Sequence, residues 1–309
     1  MKIAILGAGG IGGYLAARLA RAGQPVALIA RGAHLDAIRQ NGLRLIEPDE
    51  TITVRPDILT DDVTEVGTPD VIVVTVKAHQ FAPALQQIAP AIGAGTRIMS
   101  VQNGVDAPDQ AAEAVGRDRV LIGVARIFSN ITAPGEITRY GPMRSFTIGD
   151  YEGAQGANGV PELRAVLAAA GVLSPDCANV RVDLWKKFML FNAISSMTAG
   201  ARTRVGVVRA LPEMTALARR LVTETWQVAR AEGVAMPDSA IDEVWDFFQN
   251  TLPDEARAST AHDLEGGIPL EIDHIAGSVA RRGRALGVDV TASETIAALL
   301  APYKNGAPG

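Results

Sequence analysis

Three glycines near the start of the chain have the spacing of a phosphate-binding turn. Gly7, Gly9 and Gly12 follow an apolar run at 3–6 and precede a helical pattern that ends near Arg21. In a G-x-G-x-x-G turn the first glycine permits a tight bend, the second admits a pyrophosphate to the backbone, and the third lets the helix pack against the sheet. The helix N-terminus then favours the negative charge of the phosphates. The alternative to a dinucleotide site is a plain glycine-rich turn. The predicted site comprises Gly7, Ala8, Gly9, Gly10, Ile11 and Gly12.

The end of the next apolar run, 25–29, indicates which dinucleotide binds. NAD sites usually place Asp or Glu there to bind the ribose 2′-hydroxyl, but this chain has Ala30, Arg31 and Gly32. No carboxylate would repel a 2′-phosphate, and the Arg31 guanidinium offers a planar set of donors that fits one. We therefore predict NADP(H) as the cofactor; the alternative is that Arg31 is a solvated loop residue.

Reduction of a carbonyl also needs a proton, or a positive charge, at the developing alkoxide. None of the four histidines stands in a metal-ligand spacing, so we predict no metal site. Lys187 lies in the strongly apolar stretch 184–191. A lysine on such a face either extends its amine to the surface or is held at a cleft, and both interpretations stay open.

Two further polar residues occupy suggestive positions. Asn103 follows the predicted strand 97–101, at the edge where open α/β sheets bind their ligands. Glu271 lies near the start of a helical pattern at 270–286. A carboxylate there either stabilises the helix N-terminus or takes part in chemistry.

The patterning predicts two domains of different class. The first part of the chain alternates strand and helix patterns and includes a hairpin at 43–46 and 51–54. Further strands are predicted at 120–124, 135–140 and 145–148, with a turn at 141–142. Near Ala178 the strand signals stop and helical periodicity takes over. We predict an α/β fold with a dinucleotide-binding domain at 1–178, followed by an all-α domain at 179–309. The predicted helices of the second part are 182–199, 212–231, 241–252, 270–286 and 293–300. Pro212 suits the first turn of its helix, and Gly287 suits a C-terminal cap.

Composition excludes several classes of function. A chain of 309 residues with 48% apolar and 20% charged residues is typical of a globular protein with a large core. Its net charge of −5 gives no electrostatic basis for binding nucleic acid or an anionic membrane. A single cysteine, Cys177, excludes an internal disulfide, and no apolar stretch resembles a signal peptide or a transmembrane helix. These features predict a cytoplasmic protein.

Several segments, taken in order, resemble the ketopantoate reductase (2-dehydropantoate 2-reductase) family over nearly the whole chain. They are the glycine turn, Arg31, the stretch 75–80, Gln102-Asn103-Gly104, Trp185-x-Lys187-Phe188, and Ser259 with Glu271 twelve residues later. The resemblance implies a Rossmann-type domain followed by a helical domain, with the active site in the cleft. It also implies NADPH-dependent reduction of ketopantoate, a small 2-oxo acid, in pantothenate biosynthesis.

By that resemblance, Arg31 holds the NADPH 2′-phosphate, while Lys77 and Asn103 line the cofactor and substrate cleft. Lys187 matches the family's general acid, which protonates the C2 oxygen as hydride arrives. Glu271 matches the acid that orients that lysine and bonds the substrate, and Ser259 matches a substrate-holding residue. Lys187 and Glu271 are therefore the predicted catalytic pair.

One departure from the family concerns the substrate. Its biosynthetic members usually carry asparagines four and eight residues after the lysine, where this chain has Phe191 and Ser195. Asn192 comes one residue late, which rotates it by about 100° around a helix. Asn192 and Ser195 remain our predicted substrate ligands, together with Asn103, Lys187, Ser259 and Glu271.

Two other functions stay open. A missing hydrogen bond at Phe191 would favour a different small 2-oxo acid, because an unmade bond can discriminate strongly between substrates. A non-catalytic NADP-binding sensor would need only the first domain. The apolar helices of the second part could form a homodimer interface, although no heptad repeat identifies one.

Overall fold

The computed structural model describes residues 1–307, which form two compact units. The first comprises Met1–Gln102 and Ala107–Arg181, and the second comprises Asn103–Asp106 with the chain from Val182 onward. The segment 103–106 thus belongs to the second unit, although the sequence pattern placed it within the first domain.

The first unit contains a nine-stranded sheet in the order β4-β3-β9-β8-β7-β6-β1-β2-β5. The five strands at one end of this order, β7, β6, β1, β2 and β5, pair in parallel, as α/β connections require. The predicted hairpin is confirmed as the antiparallel pair β3–β4. The strands are β1 Ile3–Leu6, β2 Val26–Ile29, β3 Leu43–Ile46, β4 Thr51–Val54, β5 Ile58–Thr60, β6 Val71–Val74, β7 Arg97–Ser100, β8 Val120–Ala133 and β9 Glu136–Asp150.

Strand β1 shows why the central strands are apolar throughout. All four of its residues are buried. Ile3 and Ile5 pack into one core, while Ala4 and Leu6 pack into a second. Successive side chains point to opposite faces, so a strand covered on both sides has no polar position. The helices with residues in these cores are α1 Gly10–Arg21, α2 Gly32–Asn41, α3 Phe81–Ile88, α4 Asp106–Val115 and α5 Val160–Ala169.

The last two strands are longer than predicted. The sequence indicated three short strands, at 120–124, 135–140 and 145–148, whereas β8 and β9 form one long antiparallel pair. The predicted turn at 141–142 is instead a shift of register within β9. Cross-strand hydrogen bonds continue past such a bulge, which a local turn signal does not reveal.

The second unit is helical. Its first helix, α6, starts two residues before the unit does and is buried around most of its circumference. Helix α8 packs against α7, α9, α11 and α12. Pro212 opens α8 and Gly287, with φ +69°, caps α11, both as predicted. The helices are α6 Val180–Gly200, α7 Val205–Ala210, α8 Pro212–Ala231, α9 Ala240–Asp246, α10 Ser259–Glu265, α11 Ala276–Leu286 and α12 Thr291–Leu300.

Two helix predictions were wrong in detail. The predicted helix 241–252 changes at Phe247 into a π-helical turn. The predicted helix 270–286 is interrupted: a 3₁₀ turn at Ile272–His274 comes first, and α11 begins only at Ala276. Apolar spacing does not detect a break of this kind, because Ile272 in the 3₁₀ turn and Ile275 at the break itself are both buried, as they would be in a continuous helix.

Within residues 1–307, no helix is long and apolar enough to cross a membrane.

Candidate active site

The glycine turn has the geometry that its spacing predicted. Gly7 has φ +104°, and its N–H donates to the Ile29 carbonyl at 3.0 Å, extending the β1–β2 pairing. A Cβ at position 12 would lie 1.9 Å from the Gly7 oxygen. Only glycine therefore fits at position 12, and glycine is strongly favoured at position 7.

Gly9 differs from its neighbours because it faces open space. No heavy atom among the described residues lies within 4 Å of the position that a Cβ would take there. Helix α1 starts at the next residue, with no side-chain cap and no acidic residue in its first turn. Open space before an uncapped helix N-terminus fits the pyrophosphate of a dinucleotide.

Ser129 on β8 lies directly over this turn. A Cβ at Gly10 would be 1.9 Å from the Ser129 carbonyl oxygen. The Ser129 hydroxyl is buried and makes no hydrogen bond within residues 1–307. A buried hydroxyl without a hydrogen bond destabilises the fold, so the Ser129 hydroxyl is available to bond a ligand at the turn. The sequence carried no signal for Ser129, because only β8–β9 pairing brings it to the turn.

Thr75 fixes the turn from the neighbouring strand. Its hydroxyl donates to the carbonyls of Leu6 and Gly7, at 3.0 and 2.7 Å. A Cβ at Gly12 would also come within 2.4 Å of the Thr75 hydroxyl. Thr75 thus locks the end of β6 to the glycine turn.

Gln102 holds the loop that carries Lys77. Its amide nitrogen donates to the carbonyls of Val74 and Val76, at 2.7 and 3.0 Å. The exposed Lys77 follows at once. The backbone of Lys77 is therefore anchored on its N-terminal side.

Arg31 stands just after β2, at the N-cap of α2, and is exposed. Within residues 1–307 its guanidinium forms no ion pair or hydrogen bond, so its donors are available to a phosphate. His34, one helical turn later, accepts a hydrogen bond at Nδ1 from the Gly135 N–H at 3.0 Å. Burial lowers the pKa of His34 below its usual value, which keeps it a neutral acceptor.

In the second unit, the structure brings two predicted site residues together. The Lys187 Nζ atom donates to Oδ1 of Asn103 at 3.0 Å. Lys187 is half-buried on α6, and this bond holds its amine. A half-buried ammonium with a fixed partner can deliver a proton in a defined direction.

Glu271 and Ser259, two further predicted site residues, differ in exposure. Glu271 is buried, at 8% exposure, and its carbonyl accepts from the His274 N–H at 2.8 Å. Ser259 is exposed at the first residue of α10. The Glu271 side chain is thus held in a buried turn, whereas the Ser259 hydroxyl lies at the exposed start of α10.

Some polar side chains that follow Lys187 on α6 are hydrogen-bonded to other side chains, and one is not. Asn192 is fully buried; its amide nitrogen donates to Thr225 at 3.0 Å, and its oxygen accepts from Ser196 at 3.2 Å. Both bonds would have to change before Asn192 could bind a substrate. Ser195 is also fully buried, but its hydroxyl has no partner within residues 1–307. Phe191 is partly exposed.

Asp106 is a buried charged residue of this site that no sequence pattern marked. Burial would raise its pKa, but hydrogen bonding from His274, the charge of Arg282 and hydrogen bonding from Ser278 together lower the pKa to about 2. The carboxylate is therefore ionised and anchors the segment that bears Asn103. No local pattern marks it, because its partners lie far along the chain.

A nucleotide-binding turn on a parallel sheet, with a held lysine in a helical unit, defines the class of dinucleotide-binding oxidoreductases. The family model for ketopantoate reductase PanE/ApbA matches residues 3–153, and the model for its C-terminal part matches residues 179–304. This chain belongs to the ketopantoate reductase family.

Individual relatives agree with that assignment. The chain is 33% identical to a 2-dehydropantoate 2-reductase of Mesorhizobium japonicum, with 97% of each chain covered. It is 30% identical to one of Halobacterium salinarum, covering 97% of this chain and 98% of the relative. A crystal structure of a PanE/ApbA family ketopantoate reductase from Ralstonia eutropha superposes with a TM-score of 0.88, at 32% identity over 98% of both chains. The predicted family and fold class are confirmed.

Proposed function

We propose that this protein reduces 2-dehydropantoate (ketopantoate) to pantoate with NADPH, the reduction used in pantothenate biosynthesis. The observation that carries the proposal is the hydrogen bond between Lys187 and Asn103, which holds an amine in the helical unit of a chain that also bears a phosphate-binding turn. The curated relatives described above are named for the same reaction.

Residues 1–178 serve as the cofactor domain in this proposal. The N–H groups around Gly9 take the pyrophosphate, and the Ser129 hydroxyl donates a further bond at the same turn. Arg31 pairs with the 2′-phosphate, which selects NADPH over NADH. Lys77 and Asn103 complete the contacts. Bound NADPH supplies the hydride.

Residues 179–309 supply the proton and the substrate contacts. Lys187 donates a proton to the C2 oxygen as negative charge develops there. Asn103 fixes the direction of the Lys187 amine, and the buried Glu271 carboxylate balances its charge and bonds the substrate. Ser259 offers an accessible hydroxyl to the substrate.

The second candidate function is reduction of a different small 2-oxo acid, and Phe191 is the observation that favours it. Where biosynthetic family members usually carry asparagine, Phe191 gives a partly exposed apolar surface without a donor. Ser195, one turn later, has the unpaired hydroxyl that could replace part of the lost polarity.

The test follows NADPH consumption by purified protein with ketopantoate and a panel of other 2-oxo acids. Efficient turnover of ketopantoate supports the proposal, and turnover of another oxo acid in its place supports the second candidate. Tight NADPH binding without turnover on any acid would contradict both and indicate a sensor.

A further inference from the structure

We propose that Asp106 is a positioning residue, which sets the geometry of Lys187 by fixing the segment Asn103–Asp106 onto the turn that carries Glu271. This inference rests on the proposed function, in which Lys187 is the proton donor. Asp106 itself touches neither Lys187 nor a reacting atom.

The Asp106 carboxylate is nearly buried, with its side chain 12% exposed, and both oxygens are used. Oδ1 accepts from Ser278 at 2.6 Å and from two nitrogens of Arg282 at 3.0 and 2.9 Å. Oδ2 accepts from Nδ1 of His274 at 3.2 Å and from Arg281 at 3.4 Å. These donors lie at the end of the 3₁₀ turn and along α11. The Asp106 carboxylate therefore attaches the segment 103–106 both to that turn and to α11.

Backbone packing makes this attachment tight. Gly104, with φ +96°, lies so close to the His274 carbonyl that a Cβ would come within 2.7 Å of its oxygen. Asn103 precedes this contact and Asp106 follows it. Because the segment is held at Gly104 and at Asp106, the neighbouring Asn103 amide has little freedom to move away from the Lys187 amine.

The same attachment reaches Glu271. The His274 N–H donates to the Glu271 carbonyl at 2.8 Å, while the His274 ring donates to Asp106. Asp106 therefore links Asn103, which bonds the proposed acid Lys187, to the turn that contains Glu271.

Glu232 provides a matched control. It is the other carboxylate bonded to Arg282, at 2.6 and 2.8 Å, and its side chain is 16% exposed. It lies at the end of α8 and makes no described contact with segment 103–106. Asp106→Asn and Glu232→Gln each replace one carboxylate partner of the same arginine by an amide of equal size.

The first measurement compares kcat, KM and the Kd for NADPH in the two variants. Asp106→Asn is expected to lower kcat by about 10- to 100-fold, the range that a shift of roughly 1 Å produces at a reacting group. Glu232→Gln is expected to keep kcat within about twofold, although it removes a similar ion pair. Equal losses of kcat in both variants, or none in Asp106→Asn, would overturn the proposal.

A second measurement reports on Lys187 without needing any substrate. Reductive ¹³C-methylation labels the five lysines, and the Lys187→Arg variant identifies the Lys187 resonance. Asp106→Asn is expected to shift that resonance, and Glu232→Gln is expected to leave it in place. An unmoved resonance in Asp106→Asn would overturn the inference. If the resonance moves while wild-type protein reduces no 2-oxo acid, the proposed function fails and the positioning role stands.

Discussion

Lys187 and Asn103 lie 84 residues apart in the chain and are joined by a 3.0 Å hydrogen bond from Nζ to Oδ1. Asn103 follows the last residue of a buried parallel strand by three positions, while Lys187 lies in the middle of a long helix. Through this bond the Asn103 amide sets the direction of the Lys187 amine.

Lys187→Ala is expected to lower kcat by about two to four orders of magnitude, the usual contribution of a general acid. The neighbouring Lys186→Ala is the control, because Lys186 pairs with Glu243 at 2.6 Å and makes no described contact with Asn103. Steady-state NADPH oxidation measures both. Near-normal kcat in Lys187→Ala would remove the residue from the mechanism.

Alanine substitutions at Gly9 and Gly12 are expected to separate binding from folding. Gly12→Ala would place a Cβ 1.9 Å from the Gly7 oxygen, so its thermal unfolding midpoint should fall. Gly9→Ala meets no atom within 4 Å and has φ −67°, so it should fold normally but bind NADPH more weakly. Thermal melts without NADPH measure the stability of each variant, and melts with NADPH measure its cofactor binding. Normal NADPH affinity in Gly9→Ala would argue against a pyrophosphate at this turn.

Arg31→Ala should weaken NADPH binding by roughly 10- to 100-fold, because a hydrogen bond to a charged group is worth about 1.5–3 kcal/mol. NADH binding should change little, since NADH lacks the 2′-phosphate. Arg39→Ala, on the same helix α2 and paired with Asp61, is the control. Fluorescence titration of both cofactors provides the measurement, and equal weakening of NADPH and NADH would count against the assignment.

Phe191→Asn tests whether Phe191 determines substrate specificity. If Phe191 reduces recognition of the C4 hydroxyl of ketopantoate, the variant should raise kcat/KM for ketopantoate relative to 3,3-dimethyl-2-oxobutanoate, which lacks that hydroxyl. The two acids share the branched carbon, so the ratio isolates the hydroxyl. An unchanged ratio would mean that Phe191 only packs against its neighbours.

Asp106 should make stability depend on acid pH. Its pKa is lowered from 3.8 to about 2 in the folded chain, so its contribution is complete above the unfolded value and is lost as the pH falls through the folded value. The difference in free energy of unfolding between wild type and Asp106→Asn should therefore shrink by about 1 kcal/mol from pH 6 to pH 3. Urea titrations at both pH values measure it. His274, Arg281 and Arg282 are the charged or titratable groups that face Asp106. A constant difference would contradict the ionised, paired state of Asp106.

Local signals in the sequence predicted much of the molecule. The glycine turn, the apolar strands and the helix ends at Pro212 and Gly287 each depend on backbone sterics or on burial with a regular period, which neighbouring residues encode. The resemblance to a family added the pairing of Lys187 with Glu271, which no spacing could show, whereas the bond between Lys187 and Asn103 came from the structure.

Tertiary structure alone decided the contacts between distant segments. Ser129 reaches the phosphate-binding turn only because β8 pairs over a long stretch with β9. Asp106 gains its donors only because the chain returns past it more than 160 residues later. The break before α11 occurs where those contacts hold His274. Such features depend on which segments meet in space, and the local preferences of a chain do not specify that.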